Sequence, residues 1–278
     1  MALRFTWNSN RLIKRVLITL VLCALFILIA DLSLNYFRLI DIGPIKRFFN
    51  ITREDGIANF FSAILLVANG VTLFLLYWFT KVANKPKKIV YGWLTLALFF
   101  MFMGLDDATK FHERVGSTVK IIVSADSPKN SSTTITQPGQ EDPQMPPENS
   151  LDDPSIFEKF QSYPWQIIFG PFFGSMGLFV LVFLWINLPL TYSRILFVSA
   201  LSFYVVAVGL DYIEGLGTSP YEGLTLLIGE KSPTKLVHLG KAVEETLENL
   251  GHIFFLVCFL SHLLNQIKAE PYIELKAE

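Results

Sequence analysis

Six long apolar runs decide what this chain can fold into. They cover roughly residues 16–37, 58–80, 89–106, 165–189, 193–211 and 246–266. Each has about 18–25 residues, enough to cross ~30 Å of hydrocarbon at ~1.5 Å per residue. Lipid offers the backbone no hydrogen-bond partners, so such runs become helices that satisfy their own N–H and C=O groups. The expected fold class is all-α, a single integral membrane bundle of six helices. Including polar extensions, those helices are expected at about 16–37, 58–80, 89–113, 165–189, 193–214 and 241–266. Arg4, Arg11, Lys14 and Arg15 precede the first run as they would in a signal peptide. No small-x-small cleavage site follows, so a retained helix is expected.

Composition removes several function classes. Lys+Arg total 23 and Asp+Glu 24, which leaves no basic excess for nucleic acid. Cys23 and Cys258 lie inside apolar runs, as small hydrophobes rather than as a disulfide framework. There is no Gly-rich phosphate loop, no Gly-x-Ser-x-Gly elbow and no Cys-x2-Cys pair.

Basic residues set the expected orientation. With the N-terminus inside, the short inner segments hold 11 of the 23 Lys+Arg, including Lys81, Lys85, Lys87 and Lys88 in one turn, and 21 of the 24 acids fall outward. This reads as a cell inner or plasma membrane protein with both termini cytoplasmic. Residues 121–160, rich in Ser, Thr, Pro, Gln and acids from Ser124 to Asp153, read as a flexible extracytoplasmic loop. Tyr163 and Trp165 are expected at headgroup depth. Gly170, Gly174 and Gly177 suggest a helix that another approaches closely. Asn50-Ile-Thr and Asn130-Ser-Ser match a glycosylation acceptor, meaningful only in a secretory pathway.

The chemistry is concentrated at one depth. Measured from the cytoplasmic ends, Asp106 and Asp107 fall at roughly 27–29 Å, and a continued helix puts His112 and Glu113 at roughly 36–38 Å. Asp211 and Glu214 fall at roughly 28 and 33 Å, His252 at roughly 21 Å, Glu248 at roughly 27 Å, and Glu244 and Glu245 at roughly 32 Å. Asp31, Asn35, Asn59 and Asp55 register in the same outer layer. Lys241, Glu244, Glu245, Glu248 and His252 share a face within about 100°. Asp106 and Glu113 share a stripe from which Asp107 points away.

Acids facing lipid cost several kcal/mol each, so these stripes face the bundle interior or water. So many carboxylates cannot all stay ionised without compensation. Protonation, salt bridges to Lys110, Arg114, Lys241 and Arg53, or bound cations would each resolve the excess. Carboxylates with imidazole suit divalent transition metals. The expected metal ligands are drawn from Asp106, His112, Glu113, Glu214, Glu244, Glu248 and His252, with Asp107, Asp211, Lys241 and Glu245 behind them. The Glu-x2-His spacing of soluble di-iron bundles is absent. His238 and His262 fall outside the cluster and read as structural, Asp31 needs a partner, and Glu54 and Asp55 suit capping of the second helix.

Arg53-Glu54 before a membrane helix, Leu105-Asp106-Asp107 followed by His112-Glu113, Glu214, and Val243-Glu244-Glu245 with Glu248 resemble an uncharacterised family of bacterial multi-pass membrane proteins. The resemblance covers most of the chain apart from the polar loop. In that family the second acid of the pair is usually Glu, where this chain has Asp107. It implies the architecture and the residue set, and no activity.

Three functions fit. The first is a metal-dependent enzyme acting on a lipid or small amphiphile, using divalent metal ions. The second is a cation- or proton-coupled transporter, disfavoured by sparse polar residues in the inner halves (Asn69, Thr72, Thr95, Ser202). The third is a non-catalytic membrane module locked by salt bridges.

Overall fold

The computed structural model describes residues 9–53, 55–111, 114–115, 118–119, 164–188, 192–215, 221, 225 and 233–269. Among them there are helices and no strand. They are α1 (Ser9–Asp31), α2 (Gly43–Phe49), α3 (Ile57–Val82), α4 (Lys87–Thr109), α5 (Pro164–Asn187), α6 (Tyr192–Gly215) and α7 (Pro233–Ala269). All but the short α2 are long and apolar enough to cross a bilayer, so the six-span, all-α membrane architecture expected from the runs is borne out.

Two compact units divide the chain: residues 1–110 with 174–278, and residues 111–173. In the smaller, Phe169 meets Phe111 and Phe173 at ring distances of 6.4 and 6.0 Å. The expected loop at 121–160, Asn130, Tyr163, His112 and Glu113 lie outside the described residues, as do the side chains of Trp165 and Glu214.

In the larger unit α7 is the central helix. Its most apolar stretch is 61% buried, against 17% for α1, most of which lies on the outside of the described bundle. α7 packs on α1, α3 and α6, while α3 and α4 form an antiparallel pair closed by the turn at residues 83–86. Leu73, Leu76, Trp93, Leu96, Phe197, Val257 and Phe259 are almost fully enclosed between these helices. Polar stitches fix the pairing. Asn69, wholly buried, donates from Nδ2 to the carbonyls of Leu65 (2.9 Å) and His252 (3.0 Å), tying α3 to α7. Lys268 at the end of α7 donates to the Ser9 hydroxyl at 2.5 Å, so the start of α1 and the end of α7 lie together.

Several expectations need correction. α4 ends at Thr109 rather than running on to Glu113, because Lys110 adopts a left-handed conformation (φ 52°) and its N–H returns to the Asp106 carbonyl at 2.6 Å. α7 begins at Pro233, two turns before the expected Lys241, since proline is preorganised for a first helical turn. α3 is capped by Gly56 with no side-chain cap. Asp55 instead takes the guanidinium groups of Arg47 and Arg53, and Glu54 is not among the described residues. No described atom comes within 4 Å of a Cβ placed at Gly170, Gly174 or Gly177. The close approach occurs at Gly92, where a Cβ would meet the Phe183 ring at 2.0 Å.

Candidate functional site: an acid and imidazole cluster on α4, α6 and α7

Three helices supply the site. On α7, Glu244, Glu245, Glu248 and His252 follow one another at helical spacings. Glu244 is buried (6% exposed), His252 is buried (4%), and Glu245 and Glu248 are partly buried. Glu248 lies in the field of Glu245, Glu244 and Asp107, and in the opposing field of Lys110. The structure therefore joins the α7 acids to the end of α4.

The residue of the Asp106–Asp107 pair that faces Glu248 and Tyr204 is Asp107, the one expected to point away. Asp107 lies seven residues beyond Phe100 and fourteen beyond Trp93, both buried, so it continues the inward stripe of α4. Asp106 is the more buried of the two, at 2% exposure against a partly buried Asp107, and its carbonyl receives the Lys110 N–H. Asn59 of α3 donates to the Asp107 carbonyl at 3.2 Å, anchoring this turn. Asp211 and Lys241 are both partly buried. Lys110 itself occupies a backbone region that costs most side chains about 1–2 kcal/mol. A glycine or asparagine would be easier there, and the lysine brings a positive charge to the acids.

α6 contributes a residue that sequence patterning overlooked. The Tyr204 ring lies 5.5 Å from the His252 ring, and its hydroxyl lies in the fields of Glu248 and Asp107. Gly251 makes this approach feasible, because a Cβ there would fall 2.7 Å from the Tyr204 ring. The available signal was the α6 stripe Phe197, Ala200, Tyr204, Ala207 and Asp211, which places the phenol inward.

His252 is held in one tautomer. Its Nδ1 stands 2.5 Å from the Glu248 carbonyl, which can only accept, so Nδ1 carries the proton and donates. In the neutral ring Nε2 then keeps its lone pair, the state in which imidazole ligates a metal or takes a proton.

Below His252 the bundle closes. Phe255 stacks on Phe259 at 5.6 Å, Phe100 meets them at 5.5 and 5.6 Å, and Phe197 and Tyr204 meet Phe255 at 6.1 and 5.8 Å. These rings form an apolar layer on the Phe255–Phe259 side of the acids. Among the described residues no group of three His, Cys, Asp or Glu is placed to hold a metal ion.

A second polar centre lies further up α7. Asp31, fully buried, accepts from His238 Nε2 (2.9 Å), Asn35 Nδ2 (3.0 Å) and the Ile51 N–H (3.1 Å). Asn35 reaches back because the chain after Asp31 widens into a π-helix, Leu32–Tyr36. Asp31 thus has the partner its depth required, and His238 is that partner. His262, set apart from both centres, packs its ring 5.2 Å from Trp93.

No curated protein and no solved structure matches the chain. A family model described as a domain of unknown function, DUF8692, matches residues 16–263, which takes in four spans whole, most of α1 and α7, and both polar centres. The chain belongs to the DUF8692 family.

Proposed function

We propose that this membrane protein uses the α4–α6–α7 acids to bind a cation, reached from one side of the bilayer only. The carrying observation is the placement of Glu244, Glu245, Asp107 and Lys110 around Glu248, with Tyr204 beside them and the His252 ring against Tyr204, next to a cluster of aromatic rings. Four carboxylates against Lys110 and Lys241 still leave excess negative charge, which a cation neutralises. Glu, Asp and neutral imidazole suit a divalent transition metal, and the buried acids of α4 and α7 would hold it. A metal here would polarise or activate a bound oxygen group. The bilayer-edge position suits an amphiphilic substrate. The apolar layer of rings argues against conduction through the bundle, which needs a polar route to both sides. The Lys81–Lys88 turn and the Lys268–Ser9 contact support cytoplasmic N- and C-termini in a cell membrane.

Elemental analysis of purified protein tests the metal. Near-stoichiometric metal in the natural chain, lost in Glu248→Ala, is expected. Equal, near-zero metal in both overturns it. The absence of a ready three-ligand group among the described residues favours a second reading, in which the acids hold a proton instead. In that case purified protein in unbuffered solution would release protons on alkalinisation, and Glu248→Gln would release fewer.

A further inference from the structure

α1 leaves an open furrow on its outer face. It is joined to α7 at both ends, by Ser9 with Lys268 and by Asp31 with His238, and makes few contacts with α3. Thr19, Leu22, Cys23, Phe26 and Ile27 recur at i, i+3, i+4, i+7 and i+8, forming one wall. Phe49 of α2 and Ile57 of α3 line the rest of this open depression of about 410 Å³. That volume lies in the range of small-ligand sites, and its lining is almost wholly apolar.

Charged residues lie close in sequence to the α2 and α3 part of this lining. Arg47 is two residues from Phe49, and Asp55 two residues from Ile57. Arg47 donates to Asp55 through Nε and Nη2, and Arg53 through Nε. A guanidinium has five N–H donors, so both arginines keep donors in hand, and their side chains are 64% and 45% exposed. Counting Glu54, the segment from Phe37 to Gly56 carries four cations (Arg38, Lys46, Arg47, Arg53) against three acids. Around them Ile42, Ile45 and Phe48 are about half exposed outside any spanning helix, which places α2 at the bilayer surface.

We propose that this furrow is an anionic phospholipid site, with one acyl chain along α1 beneath Phe49 and the phosphate on Arg47 and Arg53. Planar guanidinium groups match phosphate oxygens in pairs. The site is separate from the acid cluster and does not depend on it.

Cys23 lines the furrow and Cys258 is fully buried, so Cys23 is a ready reporter in a Cys258→Ser background. Its alkylation by a lipid-soluble maleimide is compared in vesicles of phosphatidylcholine alone and with phosphatidylglycerol. Phosphatidylglycerol is expected to slow the reaction about fivefold. Arg47→Gln with Arg53→Gln should abolish the difference, while Arg47→Lys with Arg53→Lys should retain much of it, separating lost charge from local unfolding. Leu22→Trp should fill the furrow and reduce the phosphatidylglycerol retained in native mass spectra. Equal rates in the two vesicles overturn the proposal. So does equal protection by inorganic phosphate, which would mean that the acyl chain is not held. Protection by oleate but not by phosphatidylglycerol would overturn the phospholipid.

Discussion

Asp31 shows how one buried side chain can hold three segments. It receives the His238 ring from α7, the Asn35 amide from the π-turn and the Ile51 N–H from the loop before α3. Removing a buried acceptor strands its donors, each at about 1–3 kcal/mol. Asp31→Ala is therefore expected to cost about 3–5 kcal/mol in detergent unfolding, and Asp31→Asn less, because an amide oxygen still accepts. An Asp31→Ala protein as stable as the natural chain would show the carboxylate to be idle. The acid's need for a partner was legible from its depth in an apolar run. His238 was not, because the α7 helix appeared to begin at Lys241. Pro233 was the missed cue. On α4 the apolar stripe through Trp93 and Phe100 runs on to Asp107, which lies in the field of Glu248, while Asp106 is the more buried of the pair, so acid-to-acid spacing alone does not rank the two.

At the scale of elements, close contacts fall where small residues meet large rings rather than where glycines are most frequent. The Phe183 ring lies over Gly92, edge-on to Trp93 at 5.0 Å and stacked with Phe179 at 5.5 Å. Gly92→Ala must displace that ring and is expected to cost about 1–3 kcal/mol. Gly177→Ala has open space and is expected to be neutral or slightly stabilising, through helix propensity. Thermal unfolding of the two variants side by side decides it. The surface element around α2 has its own signature. Hydrogen bonds from Arg53 and then Arg47 hold the Asp55 carboxyl at a pKa of about 2, below its ordinary 3.8. A depressed folded-state pKa stabilises above the unfolded value and is lost as pH falls through the folded one. Protection of the 43–56 segment against hydrogen exchange should therefore decline from about pH 4 to about pH 2. In Asp55→Asn it should already be low at pH 6 and change little over that range.

For the whole molecule, the six spans were legible because hydrocarbon imposes both length and helicity, two constraints that leave few alternatives. The assembly of the site was less so, since the contact of α6 with α7 depends on Gly251 meeting Tyr204, a pairing that no local pattern announces. α7 adds a further expectation. Its 37 residues extend about 55 Å, more than ~30 Å of hydrocarbon requires. Single cysteines at Thr234 and Lys235 should react readily with a membrane-impermeant maleimide, and one at Ile253 should not. Uniform protection along the helix would mean that it lies wholly within the bilayer.

The sheet of rings under His252 has an electrical consequence. Moving a unit charge through a full membrane potential is worth about 2.3 kcal/mol per 100 mV, but an ion halted above those rings traverses only part of that drop. Its occupancy would then follow the composition of a single bathing solution more than the voltage. If the proposed cation site is occupied, the protein would answer to the chemistry of one compartment while remaining largely indifferent to how strongly the cell is energised.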